Sequence, residues 1–340
     1  MSTPPTASPT PAPAPALTRR MMTVALLVPV IVAFTLWAFA WPAARTAPRD
    51  LPLGVAGPAV ATGPVQRQLE QREGAFDIHR YADEAAARAA IEDRTVYGAV
   101  VATERGPKLL TASAASPVVA QLLKEAVTAG APEGTRIATV DVVPAPAGDP
   151  RGSALGASVL PMAITGVAAG ALVALRGLRG ARAVGALLAA AALVGLVAAA
   201  LTDSWLGILT GNWWAEAGTL GLSTLAVAAA VAGCAALLGP AGIGVGALLM
   251  VLLGNPFSGV TSAPQLLPEP VGLIGQLLPP GAGGSLLRSV AFFDGAAATG
   301  PVVTLAVWAG LGLTAVLLGA RRGRRTPMAP AVPREPAAVA

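Results

Sequence analysis

Residues 155–201 read LGASVLPMAITGVAAGALVAL, then RGLRGAR, then AVGALLAAAALVGLVAAAL. The outer pieces are uncharged runs of 21 and 19 residues, Leu155–Leu175 and Ala183–Leu201. A bilayer core about 30 Å thick takes about 20 apolar residues of helix to cross. The middle piece holds Arg176, Arg179 and Arg182 and no acid. The stretch therefore reads as two membrane-crossing helices joined by a short basic turn. Pro161 interrupts the first of them and predicts a kink, since proline removes a helical hydrogen bond. Gly166 and Gly170, four residues apart, predict close approach of a neighbouring helix of the same chain.

Working outward, the runs Ala217–Leu238, Gly242–Gly259 and Pro301–Ala320 follow, and Met21–Ala43 stands alone near the N-terminus. With 54% hydrophobic and 12% charged side chains over 340 residues, the chain lies outside the range of soluble domains. The fold expected is an α-helical polytopic membrane protein of six transmembrane helices in a one-plus-five layout. An extracytoplasmic α/β domain is expected between helices 1 and 2. Its divisions are a disordered cytoplasmic tail (1–20), a first helix (21–43), the α/β domain (44–154), a five-helix bundle (155–320) and a second cytoplasmic tail (321–340). The first run is longer than a signal-peptide core and carries Trp37 and Trp41 at its far end, as a retained span does.

Orientation follows the arginines. Arg19 and Arg20 precede the first span, Arg176, Arg179 and Arg182 fill one turn, and Arg321, Arg322, Arg324 and Arg325 follow the last span, with no acid among them. The positive-inside rule places these ends and both termini in the cytoplasm. The opposite loops hold Asp203, Glu216, Glu269, Arg288 and Asp294, with Trp205, Trp213 and Trp214 as an interfacial belt. Residues 44–154, with 12 basic and 13 acidic side chains, balance their charge as a solvated surface does.

Within that domain, strands are expected at Leu51–Ala56, Phe76–Tyr81, Val96–Ala102, Leu109–Ala112 and Ile137–Val143. Gly106-Pro107 is expected to form a turn. Helices are expected at Val65–Arg72, at Asp83–Asp93, and from the Ser116-Pro117 cap to Gly130. Alternating strands and helices imply a sheet covered by helices. The Pro-rich flanks predict a domain that closes its core without the spans.

The residue supply excludes several chemistries. His79 is the only histidine and Cys234 the only cysteine, so neither a disulfide nor a Cys/His metal site is expected, and no cofactor. No span has an ionisable residue at its middle, which argues against a proton-coupled transporter. Gly281-Ala-Gly-Gly-Ser285 lacks the lysine of a phosphate loop and reads as a plain loop. The basic clusters sit at helix ends without interleaved aromatics, which argues against nucleic acid. Residues 260–300 are too apolar for a solvated loop and too broken to span, so re-entrant or interfacial pieces are expected there. Asn255 and Pro256 would break the fifth span, and Pro279 and Pro280 would break the segment after it.

Three segments carry a family likeness: Leu51-Pro-Leu-Gly-Val-Ala56 with Tyr97-Gly-Ala-Val-Val-Ala102; Leu155–Gly170 around Pro161; and Asn255–Gly259 continuing through Leu277-Leu-Pro-Pro-Gly-Ala-Gly-Gly284 and Phe292-Phe-Asp-Gly295 to Trp308. With the one-plus-five layout, they resemble the ABC-2 type permease superfamily, and most closely its phage-infection-protein (YhgE/Pip)-like branch. The resemblance implies a non-enzymatic permease subunit in a bacterial plasma membrane, surrounded by membrane lipid, paired as a homo- or heterodimer and driven by a separate ATP-binding subunit. By the same resemblance, Arg176, Arg179 and Arg182 form the turn on which that ATPase docks. That turn is seven residues long, and a Pro/Ala tail stands where the family has an amphipathic helix. A scaffold or receptor that displays the domain without transporting anything is the competing class.

Overall fold

The computed structural model describes residues 14–104, 106–129 and 137–323, with the side chains of 14–20, 59–61, 64, 65, 68, 322 and 323 left aside. In chain order the elements begin with α1 (Ala14–Ala44), β1 (Leu51–Ala56), α2 (Ala59–Glu70), β2 (Phe76–Tyr81) and α3 (Glu84–Glu92). Then come β3 (Gly98–Thr103), β4 (Gly106–Thr111), α4 (Pro117–Ala129) and β5 (Ala138–Asp141). The bundle follows as α5 (Ser153–Leu175), α6 (Ala181–Ala199), α7 (Trp213–Leu238), α8 (Pro240–Ala247), α9 (Gly254–Phe257), α10 (Val271–Gln276), α11 (Pro279–Phe292) and α12 (Thr299–Gly323). Wider π-helical turns extend α6 over Ala200–Trp205 and join α8 to α9 over Leu248–Leu253. Among the described residues, six helices are long and apolar enough to cross a membrane: Met21–Ala44, Ser153–Leu175, Ala181–Trp205, Trp213–Leu238, Pro240–Phe257 and Thr299–Arg321.

α7 is the axis of the bundle. Helices α5, α6, α8, α11 and α12 all pack on it, and more than half of its most apolar stretch is buried. The sequence permits this because its partners meet it through residues without bulk. A Cβ on Gly166 of α5 would lie 2.7 Å from the Cβ of Val227, and one on Gly170 would run into the Ala228 carbonyl. Gly195 of α6 faces Ala217 and Gly221 in the same way, and Gly312 of α12 faces Ala229. Small residues let membrane helices approach to backbone contact, where dispersion and not the hydrophobic effect holds them. The Gly166/Gly170 pair therefore serves packing inside the chain.

The domain is a five-stranded sheet in the order β2-β1-β3-β4-β5. β1 pairs in parallel with β2 and β3, β3 and β4 form an antiparallel hairpin, and β4 runs parallel to β5. α3 is capped by Asp83, whose Oδ1 accepts the Ala86 amide at 2.8 Å. α4 is capped by Ser116, whose Oγ accepts the Val119 amide at 3.2 Å.

Several expectations need correction. Gly106 and Pro107 are the first residues of β4, opposite Thr103 and Ala102, so the hairpin turn precedes them. The proline fits because its position needs no donated ladder bond. α1 starts at Ala14, inside the segment expected to be disordered; the rest of that tail, Gly130 and residues 324–340 lie outside the described residues. Gly281–Ser285 is helix, not loop: it forms the buried first half of α11. Pro279 and Pro280 open that helix at positions whose amides need no partner, and its glycines are matched to close neighbours. A Cβ on Gly283 would lie 2.7 Å from the Ser223 Oγ of α7.

The domain also does not close its own core. Ala263 and Leu266 complete the apolar cluster of Leu51, Leu53, Val100, Leu109 and Leu123 on one face of the sheet. Phe293 completes the cluster around Ile91, Val96 and Leu110 on the other. Residues 260–293 are thus a shared layer: α11 packs on α7, and Ala263, Leu266 and Phe293 pack on the sheet.

Candidate functional site

Arg176, Arg179 and Arg182 are all exposed on the turn between α5 and α6. Arg176 ends α5, and positive φ at Gly177 (66°) and Gly180 (58°) reverses the chain within four residues. The ion pairs among the described residues are His79–Asp77, Arg88–Glu84 and Lys108–Glu84, so none engages this turn. Beside it opens a crevice of about 560 Å³ between the ends of α5, α7, α8 and α12. Its lining includes Val173, Leu178, Ile243 and Val316 with several alanines and glycines, and among the described side chains Arg179 is the only charged one. The acids Asp203 and Glu216 lie at the opposite ends of α6 and α7. Over 26 residues of α7, a rise of about 1.5 Å each separates the two charge sets by roughly 40 Å.

Glu216 lies in the first turn of α7 and is fully buried. Its Oε1 accepts the Gly211 amide at 2.8 Å, and its Oε2 has no hydrogen-bond partner among the described residues. Next to it, Trp213 and Trp214 meet edge to face at 4.7 Å, and Trp213 Nε1 donates to Ser204 Oγ at 3.2 Å. Trp205 and Trp214 are largely exposed at this same end.

Of the expected broken elements, Pro161 lies on the exposed side of an uninterrupted α5. Asn255 and Pro256 sit inside α9, and helix continues to Phe257 before Gly259 (φ 65°) turns the chain. Pro279 and Pro280 are buried and line a cavity of about 40 Å³ between α5, α7 and α11, with Met162, Ser223 and Thr224. The structure therefore brings Pro279 and Pro280 beside α5 but leaves the arginine turn far from them.

Sequence reasoning missed the junction between sheet and bundle. Arg94, just past α3, has a left-handed backbone (φ 60°), uncommon for a residue with a side chain. Its guanidinium donates to the Ser285 carbonyl at 2.9 Å and to Ser289 Oγ, both on α11, and lies 5.2 Å from the centre of the Phe293 ring. Tyr97 donates its hydroxyl to Gln265 Oε1 at 2.9 Å. Arg49 Nη1 donates to the Leu266 carbonyl at 3.0 Å. Arg288, buried within α11, donates to the Val260 carbonyl. Burial pushes the Arg288 guanidinium down to about 10, which leaves it charged at neutral pH, and burial lowers Arg94 in the same direction. It also raises the Tyr97 hydroxyl. Arg288 is buried, and Arg94 and Arg49 are half-buried. The Arg94, Tyr97 and Arg49 bonds tie the domain to residues 265–289, and the Arg288 bond closes that layer on itself. The one visible signal was Arg288, the single arginine between Arg182 and Arg321.

Among the described residues, no group of three or more His, Cys, Asp or Glu is placed to hold a metal ion. The chain matches no protein-family model, no curated protein and no solved structure.

Proposed function

We propose that this chain is the membrane-spanning subunit of an ABC-2 type exporter, driven by a separate ATPase, in a bacterial plasma membrane. In this reading both termini and the arginine turn face the cytoplasm and the sheet lies outside. The observation that carries it is the α5–α6 turn: exposed, triply basic, and without an ion pair among the described residues, at the end of the bundle remote from the sheet. Guanidiniums with no ion pair among the described residues are available for an outside partner. α11 gives a physical route between the two sides, since it is seated on α7 and bonded to the sheet through Arg94.

The test replaces Arg176, Arg179 and Arg182 together with lysine. Topology needs only positive charge, whereas a docked protein surface loses planar bidentate pairing. The exporter reading expects a co-purifying ATPase to be lost while membrane insertion persists. Absence of any ATPase cross-linked to Gly177→Cys in the native chain would overturn it. Orientation is checked separately: in a Cys234→Ala background, cysteine at Ser204 should react with an impermeant thiol reagent on intact cells, and cysteine at Gly177 only after lysis.

One observation favours the scaffold reading. The cavity against Pro279 and Pro280 is about 40 Å³, against the roughly 300–1,000 Å³ of ligand sites. Transport needs this region to widen; a scaffold does not.

A further inference from the structure

We infer that the crevice at the arginine-bearing end is a binding site for one anionic phospholipid, with an acyl chain in the crevice and the phosphate on Arg179. Its volume of about 560 Å³ falls within the range of ligand sites. The crevice opens at the end where α7 stops and Gly239 (φ 70°) and Pro240 reverse the chain into α8. The lining is aliphatic, and exposed Leu175, Leu178 and Leu238 continue it outward into a surface that only hydrocarbon satisfies.

The charge argues for the headgroup. Among the described side chains Arg179 is the one cation lining the crevice, with Arg176 and Arg182 three residues to either side of it in sequence and Arg321 following the lining residue Ala320. No acid occurs between Asp149 and Asp203 or between Glu216 and Glu269, so the helices walling the crevice bring no carboxylate to this end. A guanidinium presents a planar fork matched to phosphate oxygens, and basic pockets between spans are a recurrent way of holding acidic headgroups. Apolar walls with one unpaired guanidinium at the mouth are complementary to a lipid that is apolar along its chains and anionic at its head. This site needs no ATPase, so it stands or falls independently of the exporter reading.

The experiment is native mass spectrometry of the full chain, purified in detergent and supplied with phosphatidylglycerol or phosphatidylcholine. Retention of one phosphatidylglycerol, and not of phosphatidylcholine, is expected. Arg179→Gln should weaken retention about fivefold, the scale of one basic residue at a headgroup, and Arg179→Lys should restore part of it. Arg176→Gln and Arg182→Gln should change it less than twofold. Ala174→Phe, at a partly exposed lining position, should abolish retention while thermal unfolding stays unchanged; Ile243→Trp is the second filling variant. Equal losses from all three arginines would reduce the effect to diffuse surface charge and overturn the site. So would undiminished retention in both filling variants, absence of headgroup preference, or displacement by millimolar inorganic phosphate.

Discussion

Two helices of nearly equal length and apolarity have opposite fates in this molecule. Only 6% of the most apolar stretch of α1 is buried, against 56% of that of α7. The difference lies in side-chain size. α1 carries Leu26, Leu27, Val30, Ile31, Phe34 and Leu36 exposed around its circumference. α7 carries the run Ala226–Ala232, every residue of it buried. In lipid, a large aliphatic side chain gains little by leaving hydrocarbon for protein, while a small one lets two backbones meet. Apolarity puts a helix in the membrane; smallness puts it at the centre of the bundle.

The strongest way to break this contrast is to add bulk facing α7. Gly170→Leu should destabilise the folded chain by about 3 kcal/mol, the upper range for overpacking, because its Cβ meets the Ala228 carbonyl and not a movable side-chain tip. Thermal unfolding in detergent reads this directly. Little change would mean that α5 does not rest on α7. The next variant asks how far the influence of α7 extends. Arg94→Ala should cost about 2 kcal/mol, since it removes charge-assisted bonds from a half-buried cation to α11. It should also increase proteolysis of the sheet while the spans remain intact.

The same measurement on α1 should give smaller numbers. Trp37 stacks between Phe34 and Trp41 at 5.6 and 5.8 Å and meets Phe257 of α9 edge on at 6.3 Å. Trp37→Ala is expected to cost about 1 kcal/mol. A smaller contribution away from either helix comes from Glu84, whose carboxylate is held below its ordinary value by hydrogen bonds from Lys108 and Arg88. Its folded value is the lower one, so its contribution is present above the unfolded value near 4.5 and fades as pH falls through the folded value. Being partly exposed, it should add well under 1 kcal/mol. Melting of Glu84→Gln against the native chain at pH 6 and pH 3 should show the gap closing in acid. Leu27→Ala should be the smallest effect, within about 0.5 kcal/mol. A loss of 2 kcal/mol there would show that α1 has a protein partner over its length.

How much of this was legible in the sequence follows from the same distinction. The six spans were readable because length and apolarity are local properties of the chain. So were most strands, the helix α3, read from its alanines and first-turn acids, and α4 with its Ser116 cap, because caps act within three residues. α11 was not. Pro279, Pro280, Gly281, Gly283 and Gly284 are loop signals in isolation, and they become helix only where Gly275, Ser223 and Val260 fill the space their missing side chains leave. Arg94 was unreadable for the same reason: its partners Ser285 and Ser289 lie about 190 residues away. The arginine turn was visible as charge, but its crevice was not, being formed by four separated helix ends.

The position of α7 in the order of synthesis has its own consequence. Among the described spans α7 is made before α12, yet its widest contact is with α12. While the intervening residues are still being made, the face that will receive Gly312 and Gly319 has only lipid against it. That face must therefore be stable in two solvents in succession, and alanine is suited to both. The centre of this protein is finished from its C-terminal side, so a chain halted before α12 would be inserted but not assembled.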